Sequence, residues 1–172
     1  MSREFVPERL PLRGEIIAWT LALIVFATAT VLRVSDSPLA GTGLVLAGIL
    51  VLSAGSISFG NWMDRRTVIR LDFECISYSN GVRHATLGWS EVQTVRVLPT
   101  QLGARQVQVI GETHRGKSHF EFRTLGTVNY QGHERGRTGF ADGDQILETI
   151  LQMANLRPVP SDHPSYSYYA RK

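Results

Sequence analysis

Five histidines, one cysteine and a serine–glutamate step are the side chains with which this chain could do chemistry. His84, His114, His119, His133 and His163 include no His-x3-His pair, so separate, ordinary imidazoles are expected and no metal site. Ser90 and Glu91 follow Trp89, but no histidine is placed to activate a serine nucleophile. Gly132-His-Glu-Arg-Gly136 lacks a strand before it and a Lys-Ser/Thr after it, so it does not read as a phosphate-cradling loop. Asp142 and Asp144 are accounted for by a helix start. Cys75 stands alone, which leaves no internal disulfide and no cysteine-based zinc site. Its expected role is that of a small half-buried strand residue, in a chain suited to a reducing compartment. These residue types predict no catalytic site, no cofactor and no enzyme.

Binding is the remaining chemistry. Arg65, Arg66 and Arg70 follow a long apolar run and are candidates to hold anionic lipid headgroups, each worth about 1 kcal/mol near a charged surface. The plainer reading is that these arginines only orient the chain. Arg115 with Lys117, or Arg135 with Arg137, would make a second basic patch if their loops converge. The net charge is +3, and Lys117 and Lys172 are the only lysines. That excess is too small and too dispersed for a nucleic-acid footprint, so no nucleic-acid partner is expected.

The elements that must position these residues begin with two uncharged runs. Ile16 to Leu32 has no charged residue, and after Arg33, Asp36 and Pro38 a second uncharged run extends from Leu39 to Met63. Each approaches the roughly 20 apolar residues that a helix needs to cross a bilayer. Hydrocarbon offers backbone N–H and C=O groups no other partner, so a spanning segment must be a helix or part of a closed barrel. The short connection predicts a tight antiparallel hairpin. A cleaved signal peptide is the rival for the first run, with Arg3, Arg9 and Arg13 before it and Ala27-Thr-Ala29 resembling a cleavage site. Glu4, Glu8 and Glu15 dilute that n-region, and the second run follows with no room for a domain between. Both ends of the pair carry more arginine than the loop, which places both termini in the cytoplasm. Trp19 and Trp62 sit where interfacial aromatics are expected. Neither run holds an ionisable residue to carry ions or protons, so a transporter or channel is not expected.

Gly41, Gly48 and Gly55 recur every seven residues in the second run, on one stripe of the helix with Ala47 and Ala54 beside it. Small residues allow close approach of helix backbones in lipid. Ala22 and Ala29 offer a facing seam, so packing within the hairpin is the leading expectation. Oligomerisation, or docking on a larger membrane complex, is the alternative.

From Thr67 the period changes to two. Thr67–Asp72, Cys75–Ser79, Val82–Leu87, Val92–Leu98, Arg105–Ile110 and Lys117–Arg123 read as short strands, each with one apolar side. Asn80-Gly81 is a hairpin signal, because both residue types tolerate positive φ. Leu125 to Gly139 reads as a polar surface loop with at most a short strand over Thr127–Tyr130. Asp142 then opens a helix as its cap, with Gln145 completing a capping box. Ile146, Leu147, Ile150, Leu151 and Ala154 form its apolar stripe, and Asn155 is its expected stop. Residues 157–172 read as a flexible tail, and 1–14 as a cytoplasmic segment with neither helical nor strand period.

Val68-Ile-Arg-Leu-Asp, Ile76-Ser-Tyr, Trp89-Ser-Glu-Val-Gln-Thr-Val95 and Phe140-Ala-Asp-Gly-Asp, taken in order, resemble the bacterial PH-like domain, which often follows a pair of membrane helices. Cys75 departs from the turn glycine usual there, and Gly88 from the proline that commonly precedes the tryptophan. The resemblance covers residues 64–156. It implies an α+β membrane protein: a transmembrane hairpin over 15–63, then an antiparallel PH-like β-barrel or sandwich capped by a C-terminal helix. The expected function is non-catalytic, a membrane-anchored domain meeting a protein partner or the membrane surface in a bacterial cytoplasmic membrane. An accessory or assembly subunit of a larger membrane complex is the alternative, and the expected partners are the bilayer, a protein or a second copy of the chain.

Overall fold

The two uncharged runs fold as α1 (Arg13–Val34) and α2 (Ala40–Arg66). The computed structural model describes residues 2–8, 12–100, 103–114, 116–130, 133–160 and 166–171. The chain divides into a helical unit, Pro11–Trp62, and a sheet unit made of Met1–Leu10 with Met63–Lys172. Both helices are long and apolar enough to cross a membrane.

Within the helical unit, α1 stops where Asp36 takes the left-handed conformation at φ 51°. The Ser37 N–H returns to the Leu32 carbonyl at 3.0 Å and the Asp36 N–H to the Arg33 carbonyl at 3.2 Å. This pair of bonds satisfies carbonyls that the helix end leaves open. Along the spans, the hydroxyls of Thr28, Thr30, Ser53 and Ser56 each donate to the carbonyl four residues earlier at 2.9 Å. No polar hydrogen at these four positions then needs water, which suits a hydrocarbon surround.

The helix–helix seam consists of alanines. Ala22 and Ala29 of α1 and Ala40, Ala47 and Ala54 of α2 are all buried. A polar clasp closes the other end of the hairpin. The Glu15 carboxylate accepts from Ser58 Oγ at 2.7 Å and from Asn61 Nδ2 at 2.8 Å. The indole N–H of Trp19 donates to Ser58 Oγ at 2.8 Å. Read as a sequence, Glu15 is only a charge at the start of a span; folded, it joins the two helices.

The sheet unit holds two main antiparallel sheets and a ribbon. The first has the order β1 (Arg3–Phe5), β2 (Val68–Leu71), β3 (Cys75–Ser79), β4 (His84–Gly88). The second has the order β10 (Arg157–Val159), β11 (Ser167–Ala170), β5 (Val92–Pro99), β6 (Arg105–Thr113), β7 (Gly116–Arg123). The ribbon is β8 (Gly126–Tyr130) with β9 (His133–Thr138), and α3 (Gly143–Met153) follows. Alternation puts Ile69, Ile76, Leu87, Val107, Val109 and Phe120 inside, where they meet Ile146 and Ile150 of α3. Each such side chain contributes about 1.5–3 kcal/mol by leaving water. A register shift between Val92 and Thr94 keeps both Val92 and Val95 inward.

Several expectations are corrected. Among the described residues the two sheets do not close into a barrel: β4 edges one, β7 edges the other, and no ladder joins them. Residues 3–5, expected to lack strand structure, pair with β2, Phe5 standing opposite Ile69. Residues 157–159 and 167–170, expected in a flexible tail, form strands, and β11 pairs with β5. These short segments are ordered by the edge they join, not by a period of their own. The polar stretch after Leu125 is the β8–β9 hairpin rather than a loop.

At the β3–β4 turn Asn80 does not take positive φ; Gly81 alone does, at 80°. The Asn80 side-chain oxygen instead accepts the Val82 and Arg83 N–H groups at 3.2 and 2.7 Å. Asp142 occupies the N-cap of α3 but makes no side-chain cap bond. Its φ of −88° and ψ of 20° depart from the extended conformation in which a cap oxygen reaches the first turn. Asp144 in that turn pairs with Arg105 of β6 instead. Gly139, at φ 102°, and Gly143, which opens α3, both have no room for a Cβ beside Thr124, the residue after β7.

Candidate functional site

Arg65 and Arg66 lie in the last turn of α2, where cations also suit the helix C-terminus. Arg70 is separated from them in function by its partner: it lies in β2, and its Nε meets Glu4 Oε2 at 3.2 Å. Its positive charge is matched within the sheet. Arg115 lies outside the described residues, as does His163. The described fold brings Lys117 to the start of β7 and Arg137 into β9.

The glycine stripe is not the hairpin seam. A Cβ built on Gly41, Gly48 or Gly55 would meet nothing within 4 Å. Gly43, not part of the stripe, is the close one, its Cβ position standing 3.0 Å from Ala29 Cβ. The alanine row next to the stripe faces α1 because its methyls fill the interhelical gap, where glycines would leave contacts unmade.

The residues weighed for catalysis have other partners. Glu91 Oε2 accepts the Gly88 N–H at 2.8 Å. Trp89 is buried, and its indole N–H donates to the Asp72 carbonyl at 2.9 Å. Burial pushes the Cys75 thiol above its ordinary value, and the carboxylates of Asp72 and Glu74 push it further. Such a thiol is a poor nucleophile. Burial likewise raises the Tyr78 phenol, against the lowering effects of Asn80, Thr67 and Arg83. His84 Nε2 stands 3.1 Å from Thr86 Oγ1, and His119 contacts Arg83 at 3.4 Å. Among the described residues, no group of three His, Cys, Asp or Glu side chains lies together as metal ligands would.

The sheet unit also has concavities in its surface. A cleft of about 250 Å³ has Asp64, Glu8, Glu121 and Arg123 around a floor of Tyr78 and Phe140. Backbone pairing of the Glu8 N–H with the Gly139 carbonyl at 2.8 Å holds its rim. A second, larger groove of about 410 Å³ opens beside β4 and the β6–β7 turn, with Lys117, His84, His114 and Ser118 on its walls. The sequence places Lys117 with Arg115 at one turn; the approach of β4, which adds His84, is a product of the fold.

Neither a family model, nor a curated protein, nor a solved structure matches the chain. Fold and surfaces therefore define a class: an α+β chain in which two helices, long and apolar enough to cross a membrane, precede an antiparallel sheet domain.

Proposed function

We propose that this chain is a non-catalytic, membrane-anchored interaction module of a bacterial cytoplasmic membrane. Its sheet domain, PH-like in strand sequence and closing helix, meets a protein partner or the membrane surface, with both termini in the cytoplasm. The observation that carries this reading is the apolar surface of the hairpin. Only 11% of the most apolar stretch of each helix is buried within the protein. Leu23 is 68% exposed and Leu52 74%. Helices apolar on all sides are stable where hydrocarbon replaces water. The sheet domain has its own core, which leaves its outer surface for recognition. Arg65 and Arg66, at the end of α2, then serve to orient the chain and to hold anionic headgroups.

The test is retention of the full chain in carbonate-washed membranes, combined with protease added outside intact cells. Retention and an uncut sheet domain support the reading; release into the wash, or trimming from outside, overturns it. Purification from native membranes in mild detergent then identifies the partner.

The open glycine face supports a second reading, an accessory or assembly subunit held in a larger membrane complex, or a homo-oligomer. Gly41, Gly48 and Gly55 leave room for another helix to approach closely. A Gly48→Leu variant that associates as the parent chain does would dismiss this interface.

A further inference from the structure

We propose that the groove between β4 and the β6–β7 turn binds a phosphate group, carried by a soluble phosphoester or by a phospholipid headgroup. The inference names a ligand for the sheet domain and so rests on reading that domain as a binding module.

The groove exists because the inward-facing rows of three strands run out of bulk at the same end. On β7 the row passes from Phe122 and Phe120 to Ser118. On β6 it passes from Val107 and Val109 to Gly111 and Thr113, and on β4 from Leu87 to Ala85. Gly111 is kept small by contact, since a Cβ there would stand 2.7 Å from the Glu91 carbonyl oxygen and 2.8 Å from Leu87 Cδ2. Beyond the last bulky side chains the two unjoined sheets leave the space of about 410 Å³.

Hydrogen-bond donors dominate its walls. Lys117, His84, His114, Ser118, Thr86 and Thr113 line it, together with Glu91. A neutral imidazole carries an N–H in either tautomer. The carboxylates of Glu91, in the wall, and Glu112, beside it, have donors of their own. Glu91 takes the Gly88 N–H at 2.8 Å. Glu112, opposite Lys117 in the ladder, takes the Gln93 amide at 3.1 Å. Among the described residues the groove has no Phe, Tyr or Trp wall on which a base would stack. A donor-rich wall that holds Lys117 selects a ligand made of acceptors. A tetrahedral oxyanion presents several oxygens at once, each suited to a charge-assisted bond. The volume accommodates the ester substituent as well.

The test uses the full chain in phosphatidylcholine nanodiscs. Calorimetry with inorganic phosphate and with glycerol 3-phosphate forms the soluble arms. Co-flotation with added phosphatidylcholine vesicles, with or without phosphatidic acid, forms the lipid arm. Saturable binding is expected in at least one arm. Lys117→Gln should weaken it about tenfold, the loss of one charge-assisted hydrogen bond. Ser118→Val, which puts methyl groups in the groove, should weaken it as well. A loss in either variant that keeps the parent melting temperature supports the site. Binding in the soluble arms assigns a free phosphoester, and binding only to phosphatidic acid vesicles assigns a headgroup. No binding in any arm, or undiminished binding by both groove variants, overturns the proposal. Neither result alters retention in carbonate-washed membranes, so the broader reading stands or falls separately.

Discussion

The guanidinium of Arg171 donates to the carbonyl oxygen of Trp89 at 2.7 Å. It also reaches the Ser90 carbonyl at 2.8 Å and the Ala154 carbonyl at 3.1 Å. One side chain at the end of β11 thus joins the turn before β5 to the C-terminus of α3, where a cation opposes the helix dipole. Arg171→Met should lower the stability of the chain by about 1–3 kcal/mol, the range for hydrogen bonds that involve a charged group. Arg171→Lys should recover only part, because a single ammonium lacks the fork that serves three carbonyls. Thermal unfolding of the full chain in detergent reads both; an unchanged midpoint for Arg171→Met would show that the tail is not tied down this way.

Asn155 ends α3 in the left-handed region at φ 51°. The Leu156 N–H then bonds the Leu151 carbonyl at 2.9 Å, and the Asn155 N–H bonds the Gln152 carbonyl at 3.2 Å. Asparagine tolerates this conformation, glycine adopts it freely, and a β-carbon without a polar tip resists it. Asn155→Ala is expected to cost about 1 kcal/mol and Asn155→Gly to be neutral or slightly stabilising. Urea denaturation of the two variants side by side checks the order, and the reverse order would refute it.

The elements legible in the sequence are those whose pattern is local. Val107 and Val109, or Phe120 and Phe122, announce their strands by alternation, and Asn155 announces its stop. The strands at 3–5 and 167–170 carry no such period; β1 and β11 exist because β2 and β5 present unpaired edges. Alanine and glycine rows in α2 share one seven-residue spacing, so spacing alone does not say which row faces α1. That depends on the partner helix. The clasp at Glu15 and the groove at Lys117 were hidden for the same reason, since Ser58 and Asn61, or His84, arrive from distant positions.

The alanine seam and the open glycine stripe make opposite predictions for neighbouring residues. Ala47 is 1% exposed, so Ala47→Leu forces extra bulk between the helices and should destabilise the hairpin by about 1–3 kcal/mol. Gly48→Leu meets nothing within 4 Å and should leave the hairpin intact. Trp19, bonded to Ser58 across the pair, is the reporter. Its fluorescence during SDS titration in bicelles should shift to lower SDS for Ala47→Leu alone; equal shifts in both variants would mean that the seam is misplaced.

Cys75 and Tyr78 together predict how stability responds to alkali. Burial is the largest cause raising both groups, above ordinary values of 9.0 for the thiol and 10.0 for the phenol. Each therefore keeps its proton to higher pH in the folded chain than in the unfolded one. Where the folded state holds more protons, stability falls as pH rises. The contribution is fully present below the unfolded value and is lost as pH climbs through the folded one. The parent chain should begin to lose stability above about pH 9, where the unfolded thiol ionises. Cys75→Ser should postpone that onset toward the phenol's window, and Tyr78→Phe should flatten the later part. The same physics makes Cys75 slow toward a disulfide reagent near pH 8, because little of it is thiolate. Asp72→Asn with Glu74→Gln removes two of the groups that raise it and should quicken the reaction. A thiol that reacts as fast as free cysteine, or melting midpoints flat from neutral pH through the phenol's range, would contradict the partial burial of both side chains.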